Sequence, residues 1–285
     1  QAVETLQGVE VSPRARYLRT LFLELERLHN HIGDVGAICN DTAYALAHAH
    51  CGRMKEQLMQ LNDRLTGSRF LRGVNCVGGV ALDLSGLQLA QVEVELNTLE
   101  QDFSAIEKIV FANASLTERL ENTGILTEGI AWDHAVIGVV GRASGIDRDL
   151  RRDRPFAAYD VLQPKVALYR YGDVRARMRV RLDEIHESIR LIREVRRGLP
   201  LGRLVSRPMH EAQPGVWALS AVEGWRGEIL YVVMAGEAGR IHRCKVRDPS
   251  FVNWPAIQWA ALGNIVPDFP LINKSFNLSY VGNDL

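Results

Sequence analysis

Two aspartates, four histidines and an arginine-rich segment are the first places in this chain to look for reactive groups. Asp34 and Asp41 stand seven residues apart in an apolar, Ala-rich stretch. On a helix that spacing returns nearly to the same face. A carboxylate turned into a bundle interior has a raised pKa and can pass protons; one turned to water or used as a cap does neither. His29/His31 and His48/His50 are i,i+2 pairs. A helical metal pair needs i,i+3 or i,i+4, so these suit hydrogen-bonded or surface histidines better than ligands. Arg175, Arg177, Arg179, Arg181, Arg190, Arg193, Arg196 and Arg197 interleave with Asp183, Glu184, Glu187 and Glu194. Such mixed signs read as a solvated face or a face for a partner subunit, and no aromatic stacking platform accompanies them to suggest nucleic acid.

Other chemistries are excluded by pattern. Cys39, Cys51, Cys76 and Cys244 form no CxxC, so neither zinc nor iron–sulfur binding is signalled, and they read as free thiols. Gly78-Gly79 and the Gly141/Gly145 pair make no GxGxxG, no GKS or GKT occurs, and Ser144 lies in Ala-Ser-Gly rather than GxSxG. The 34 basic and 34 acidic side chains cancel, leaving no electrostatic case for nucleic acid or an anionic membrane surface. These residues show no signal-peptide pattern and no bilayer-spanning apolar run, so any membrane association is expected to go through partner subunits.

The elements that must carry these residues are mostly helices. Ser12-Pro13 is a helix start, and apolar residues then recur at helical spacing from Arg14 to about Gly33. A second helical stretch runs from about Val35 to Leu65, with Gly33 and Gly36 placed to kink or separate the two. A glycine-punctuated loop with a short strand near 80–82 follows; Ser85 then caps a long helix to about Ala112, and a short one covers Ser115 to Glu121. Gly141–Gly145 and Arg148–Arg154 read as a polar, surface-lying connector. Helix returns from Tyr171 to Arg197, and two β-rich runs, 227–234 and 240–247, imply a hairpin. A short helix near 252–262 leads to the tail. The fold class expected is mainly α, a bundle of long helices with a small antiparallel β-hairpin or sheet. Three segments, 1–124, 125–202 and 203–285, are expected to form one domain. Gln1-Ala-Val-Glu-Thr-Leu reads as a helix already under way, so an upstream part is expected to be missing.

Six stretches in one order, LFLELERLHNHIGDVGAICND (21–41), RFLRGVNCVGGV (69–80), GRASGIDRDLRRDRPFAAYD (141–160), GDVRARMRVRLDEIHESI (172–189), VEGWRGEILYVV (222–233) and VRDPSFVNWPAI (246–257), resemble one family, as does the tail from Pro267 to Leu285. It is the large-subunit family shared by respiratory complex I and energy-converting membrane-bound nickel–iron hydrogenases. Hydrogenase large subunits end in Asp-Pro-Cys-x-x-Cys; on that pattern Asn277 falls at the Asp, Leu278 at the Pro, Ser279 and Gly282 at the cysteines. A hydroxyl and a glycine do not replace two soft thiolates, so no metal site is expected.

The resemblance implies an oxidoreductase subunit of the NADH dehydrogenase (quinone) or hydrogenase kind that helps form a site for quinone or a similar acceptor and passes protons. Asp41 matches an Asp that, in complex I, partners a quinone-contacting His; that His and a quinone-contacting Tyr belong to the family's part upstream of Gln1. Arg226 matches an Arg that overhangs the metal in hydrogenases, or else anchors the hairpin by ion pairing. Asp41 and Arg226 are thus the expected catalytic residues, with Asp41, Asn277 and Ser279 at the quinone. Asn277 stands where complex I relatives carry Asp, and Leu71 where many carry a His beside the terminal iron–sulfur cluster. The chain itself is expected to bind no cofactor. Iron–sulfur clusters would sit in a small-subunit partner, membrane subunits would hold the complex on the cytoplasmic side of the bacterial inner membrane, and the fragment alone would be inactive. The alternatives are a structural assembly subunit without turnover and the large subunit of a formate hydrogenlyase-type complex.

Overall fold

The computed structural model describes residues 1–284. In chain order, α1 (Ala2–Leu6), α2 (Pro13–Asp41) and α3 (Ala45–Thr66) lead to a minimal hairpin, β1 (Asn75–Cys76) with β2 (Gly79–Val80), and then α4 (Gly86–Ala112). Short helices α5 (Ala114–Leu120), α6 (Glu128–Asp133), α7 (Gly138–Ala143), α8 (Leu150–Asp153) and α9 (Tyr159–Leu162) precede the long α10 (Val174–Gly198). The sheet strands β3 (Trp217–Gly224), β4 (Gly227–Ala235) and β5 (Ile241–Arg247) follow, then α11 (Pro249–Ala261), α12 (Phe269–Phe276) and α13 (Tyr280–Asp284). The architecture is mainly α with a small antiparallel sheet, as the pattern implied.

Local chemistry sets the helix starts. Ser12 accepts from the Ala15 N–H with Pro13 in the first turn, Ser85 and Gln88 form a capping box, and Asp173 accepts from the Ala176 N–H at 2.7 Å. α2 is the central helix, packed between α3 and α10. Its Leu18, Leu21, Leu25, Leu28 and Ile32 join Met54, Leu58 and Leu61 of α3, Leu96 and Phe103 of α4, and Ile185, Ile189 and Ile192 of α10 in one fully buried core. Each such side chain contributes about 1.5–3 kcal/mol of apolar burial.

Three expectations are corrected. Gly33 and Gly36 do not break α2, which runs through both to Asp41. A Cβ on Gly36 would lie 2.6 Å from Cys51 Cβ, and one on Gly33 2.9 Å from Lys55 Cδ; the glycines admit α3 at close range, and the break falls at Thr42–Tyr44. The expected hairpin is present as β4 and β5 but is not the whole sheet: the segment 217–224 adds a third antiparallel strand in the order β3-β4-β5, pairing in register from Trp217↔Met234 to Gly224↔Gly227. The 141–154 connector is only partly on the surface: Asp147, Arg148 and Arg152 to Arg154 are exposed, but Arg142, Asp149 and Arg151 are buried, with Arg142 paired to Glu184 and Arg151 to Glu24, far away in sequence.

Candidate functional site

Two facing polar stripes cross the core. Glu24, Arg27, His31 and Asp34 fall on one face of α2, and Arg177, Arg181, Glu184 and Ser188 on one face of α10. The helices meet along that seam. Ser188 Oγ donates to Glu24 Oε2 at 2.5 Å, Arg27 Nη1 to Glu184 at 3.3 Å, His31 Nε2 to Glu184 at 2.7 Å, and Arg181 Nε to Asp34 Oδ2 at 3.1 Å. The Glu184 carboxylate can only accept, so His31 carries its proton on Nε2. Burial alone would raise Glu184, but the Arg142 guanidinium and the His31 hydrogen bond hold it well below the carboxylate range. Burial pushes His31 below the usual imidazole value.

The C-terminal tail lies over the Asp34 end of the seam. α12 packs on α2 and α10 and ends at Asn277, whose left-handed conformation (φ 53°) turns the chain. Asn277 Nδ2 donates to Asp34 Oδ1 at 2.7 Å, and Arg226 Nε donates to the Asn277 carbonyl at 2.6 Å. Arg226 sits at the β3–β4 turn, which is seated on α7: a Cβ on Gly138, at φ +66°, would fall 1.9 Å from the Arg226 carbonyl oxygen. Burial lowers the Arg226 pKa, with Asp34 and Asp248 opposing. Ser279 is fixed by its N–H to Ser250 Oγ (2.9 Å) and its carbonyl to Trp254 Nε1 (3.2 Å). Arg177 anchors the preceding helix through Ser275 Oγ at 2.8 Å; burial lowers its pKa to about 9, and Asp173 partly offsets that.

Of the residues singled out in the sequence, Arg226, Asn277 and Ser279 are gathered in this tail site. Asp41 is not among them. It ends α2, half-buried, and among the described residues its side chain bonds only Asn40. Asp34, its heptad partner, is the buried carboxylate that holds the tail. The arginine stripe of α10 also divides: Arg177 and Arg181 are buried, whereas Arg190, Arg193 and Arg196 form partly exposed pairs with Glu187, Glu93 and Glu100. His29 and His31 are buried and hydrogen-bonded. Sequence reasoning does not single out Glu24, Arg27 and Glu184 as a site. The signal that marks them is a polar residue every three or four positions inside otherwise apolar helical faces.

The donors of the tail do not fit a nickel–iron centre. Ser279 Oγ accepts from the Gly282 N–H at 3.0 Å, and a Cβ on Gly282 would fall 2.5 Å from Asp248 Oδ1, so a side chain there would displace the α11 cap. The thiols Cys39 and Cys51, pushed up to about 12 by burial, belong to α2 and α3 and not to the tail.

Comparison with known proteins places this helical bundle, crossed by a polar seam and closed by its tail, among the large subunits shared by complex I and hydrogenase-type complexes. It belongs to the respiratory-chain NADH dehydrogenase 49 Kd subunit family, whose model matches residues 34–215 and 209–284. Formate hydrogenlyase subunit 5 of Escherichia coli K12 is 30% identical over 283 residues, covering 99% of this chain and 50% of that protein. An NADH-quinone oxidoreductase subunit from Clostridium beijerinckii is 30% identical over 278 residues, covering 97% and 75%. The carbon monoxide-induced hydrogenase of Rhodospirillum rubrum is 30% identical over 277 residues, covering 97% and 76%. The chain spans about half the length of its E. coli relatives, 50% and 48%. Among the described residues no helix is long and apolar enough to cross a membrane.

Proposed function

We propose that the chain acts as the large subunit of a membrane-associated oxidoreductase complex, where it walls the site of a quinone or quinone-like acceptor and passes protons to it. Electrons arrive from iron–sulfur clusters in a small-subunit partner, and membrane subunits keep the complex at the cytoplasmic face of the bacterial inner membrane. The chain supplies position and electrostatics, as proteins do for redox groups held elsewhere. The observation that carries this reading is the tie between the tail and a buried carboxylate: Asn277 bonds Asp34, and Arg226 holds Asn277 by its carbonyl. Asp41 lies on the same helix face, about 10 Å further along at 1.5 Å per residue. The two carboxylates thus mark the ends of one strip of α2, with Asp34 under the tail and Asp41 at the open end.

The test is quinone-reductase activity and proton coupling of the intact complex carrying Asp41→Asn. A drop of roughly tenfold or more is expected, the low end of what a positioned proton-transfer group contributes. Unchanged turnover and coupling would instead favour a structural subunit that uses the same fold to hold its partners together.

A further inference from the structure

Beyond Asp34 the seam runs into a buried ionic cluster that the acceptor-site reading leaves without a role. Four carboxylates, Glu24, Asp149, Glu184 and Glu223, and three guanidiniums, Arg27, Arg142 and Arg151, are each no more than 2% exposed. With every group ionised, these seven carry one negative charge too many; the neighbouring trio of Glu228, Arg148 and Arg247 carries one positive charge, but its arginines are 54% and 34% exposed and are screened by water. Guanidinium does not give up its proton, and an uncompensated charge in an interior is expensive. One added proton makes the cluster neutral.

The partners indicate where it sits. Asp149 takes a bidentate bond from Arg151, at 3.0 and 2.7 Å, and also accepts that residue's N–H. Glu24 accepts from Tyr159 and Ser188 and faces Arg27 Nε at 3.3 Å. Glu184 gathers Arg142, His31 and Arg27. Glu223 has the weakest set: one bond from Arg142 Nη1 at 2.9 Å and one from the Leu150 N–H at 3.2 Å. Even that Arg142 nitrogen is shared with Asp149 at 3.5 Å. His31, the other candidate, lies between Arg27 and Arg181, whose charges oppose a second cation. Its Nδ1 is buried without a protein partner, and so is Arg142 Nε beside Glu223.

We propose that Glu223 is a proton-binding site, holding at neutral pH the one proton that neutralises this cluster and exchanging it with solvent at the sheet edge. The exit is short. Glu228 stands directly opposite Glu223 in the β3–β4 register, and its carboxylate is bonded by Arg148, which is 54% exposed, and by Arg247. Release converts the carboxylic acid to carboxylate and passes H⁺ to water at that rim; no electron moves.

The charged groups around Glu223 come from several elements. Asp149 and Glu228 add negative charge; Arg142, Arg151 and Arg27 add positive charge, as do Arg148 and Arg247 across Glu228, with Arg27 bonding the Glu223 carbonyl at 2.8 Å. Burial and the Asp149 carboxylate outweigh Arg142 and raise Glu223 to about 7, so it titrates where a redox partner would need it. The link to turnover, in which Glu223 supplies protons as charge changes at the Asp34 end, rests on the function proposed above; the protonation itself does not.

Infrared spectroscopy of the intact complex between about pH 5 and about pH 9 tests it, because an ordinary glutamate, with a pKa of about 4.3, is already ionised throughout. A buried carboxylic-acid band is expected at the acid end, shifting in deuterated water, titrating with a midpoint of about 7 and absent from Glu223→Gln. Glu223→Asp, which keeps the acid if Gln does not fold, should shift the band and not abolish it. A band that is absent in the parent, or unmoved by both variants, overturns the proposal. A band with this behaviour in a complex that reduces no quinone would keep the site and discard the function; quinone turnover without the band would do the reverse.

Discussion

Replacing Glu184 by Gln removes one charge from the centre of the seam while keeping side-chain shape. The carboxylate accepts from Arg142 at 2.5 Å, His31 at 2.7 Å and Arg27 at 3.3 Å, and is 1% exposed. An amide offers one oxygen to those three donors, and its NH2 must face at least one of them, donor against donor. Hydrogen bonds to charged groups contribute about 1.5–3 kcal/mol each; ionisation of Glu223 can restore the charge balance, but it does not replace the two bonds lost at this position. About 4 kcal/mol is therefore expected, a large share of the roughly 5–15 kcal/mol by which domains are stable. At about 2–4 °C per kcal/mol for a chain of this size, the melting midpoint should fall by about 10 °C, read by circular dichroism on parent and variant under identical conditions. Glu56→Gln, which breaks a well-formed but exposed pair with Arg69, is the control and should leave the midpoint in place. A Glu184→Gln chain that melts within about 1 kcal/mol of the parent would refute the reasoning.

Two further outcomes follow from the geometry. Asn277→Asp puts a second carboxylate within hydrogen-bond reach of Asp34, where Asn277 Nδ2 now sits at 2.7 Å. The pair then shares a proton, its folded pKa rises, and stability relative to the parent should fall by about 1–2 kcal/mol as pH rises from about 5 to about 8, with Arg181 and Arg226 offsetting the rest; a pH-independent difference in urea midpoints would count against this. His29, kept neutral by burial with its pKa lowered to about 4, stabilises the fold fully above the unfolded value near 6.5, and loses that contribution as pH falls toward 4. The loss is at most about 3 kcal/mol, so His29→Gln should flatten the acid limb of the stability profile, and parallel limbs would show that another group controls it.

The long helices were legible because their signals are local. Caps at Ser12 and Ser85 and apolar residues three and four apart mark α2, α4 and α10 within their own stretches of chain, though the Asp173 cap that starts α10 was not read. β3 was harder to see, since Trp217–Gly224 becomes a strand by pairing with β4. The same distinction separates the two aspartates. Heptad spacing correctly put Asp34 and Asp41 on one face, but burial depends on what lies over that face, and only α12 with its Asn277 covers Asp34.

Residue types and periodicities thus settled which segments are helical and which family the chain resembles, because both are written in short-range pattern. The placement of charge came from packing. Arg148 to Arg154 looks solvated in sequence, yet Arg151 is buried, because Glu24 and Glu184 arrive from other segments to join its neighbour Asp149 in neutralising it. A charge can enter a protein interior only where opposite charges meet it, and that meeting is set by contacts between residues more than a hundred positions apart, such as Arg27 with Glu184.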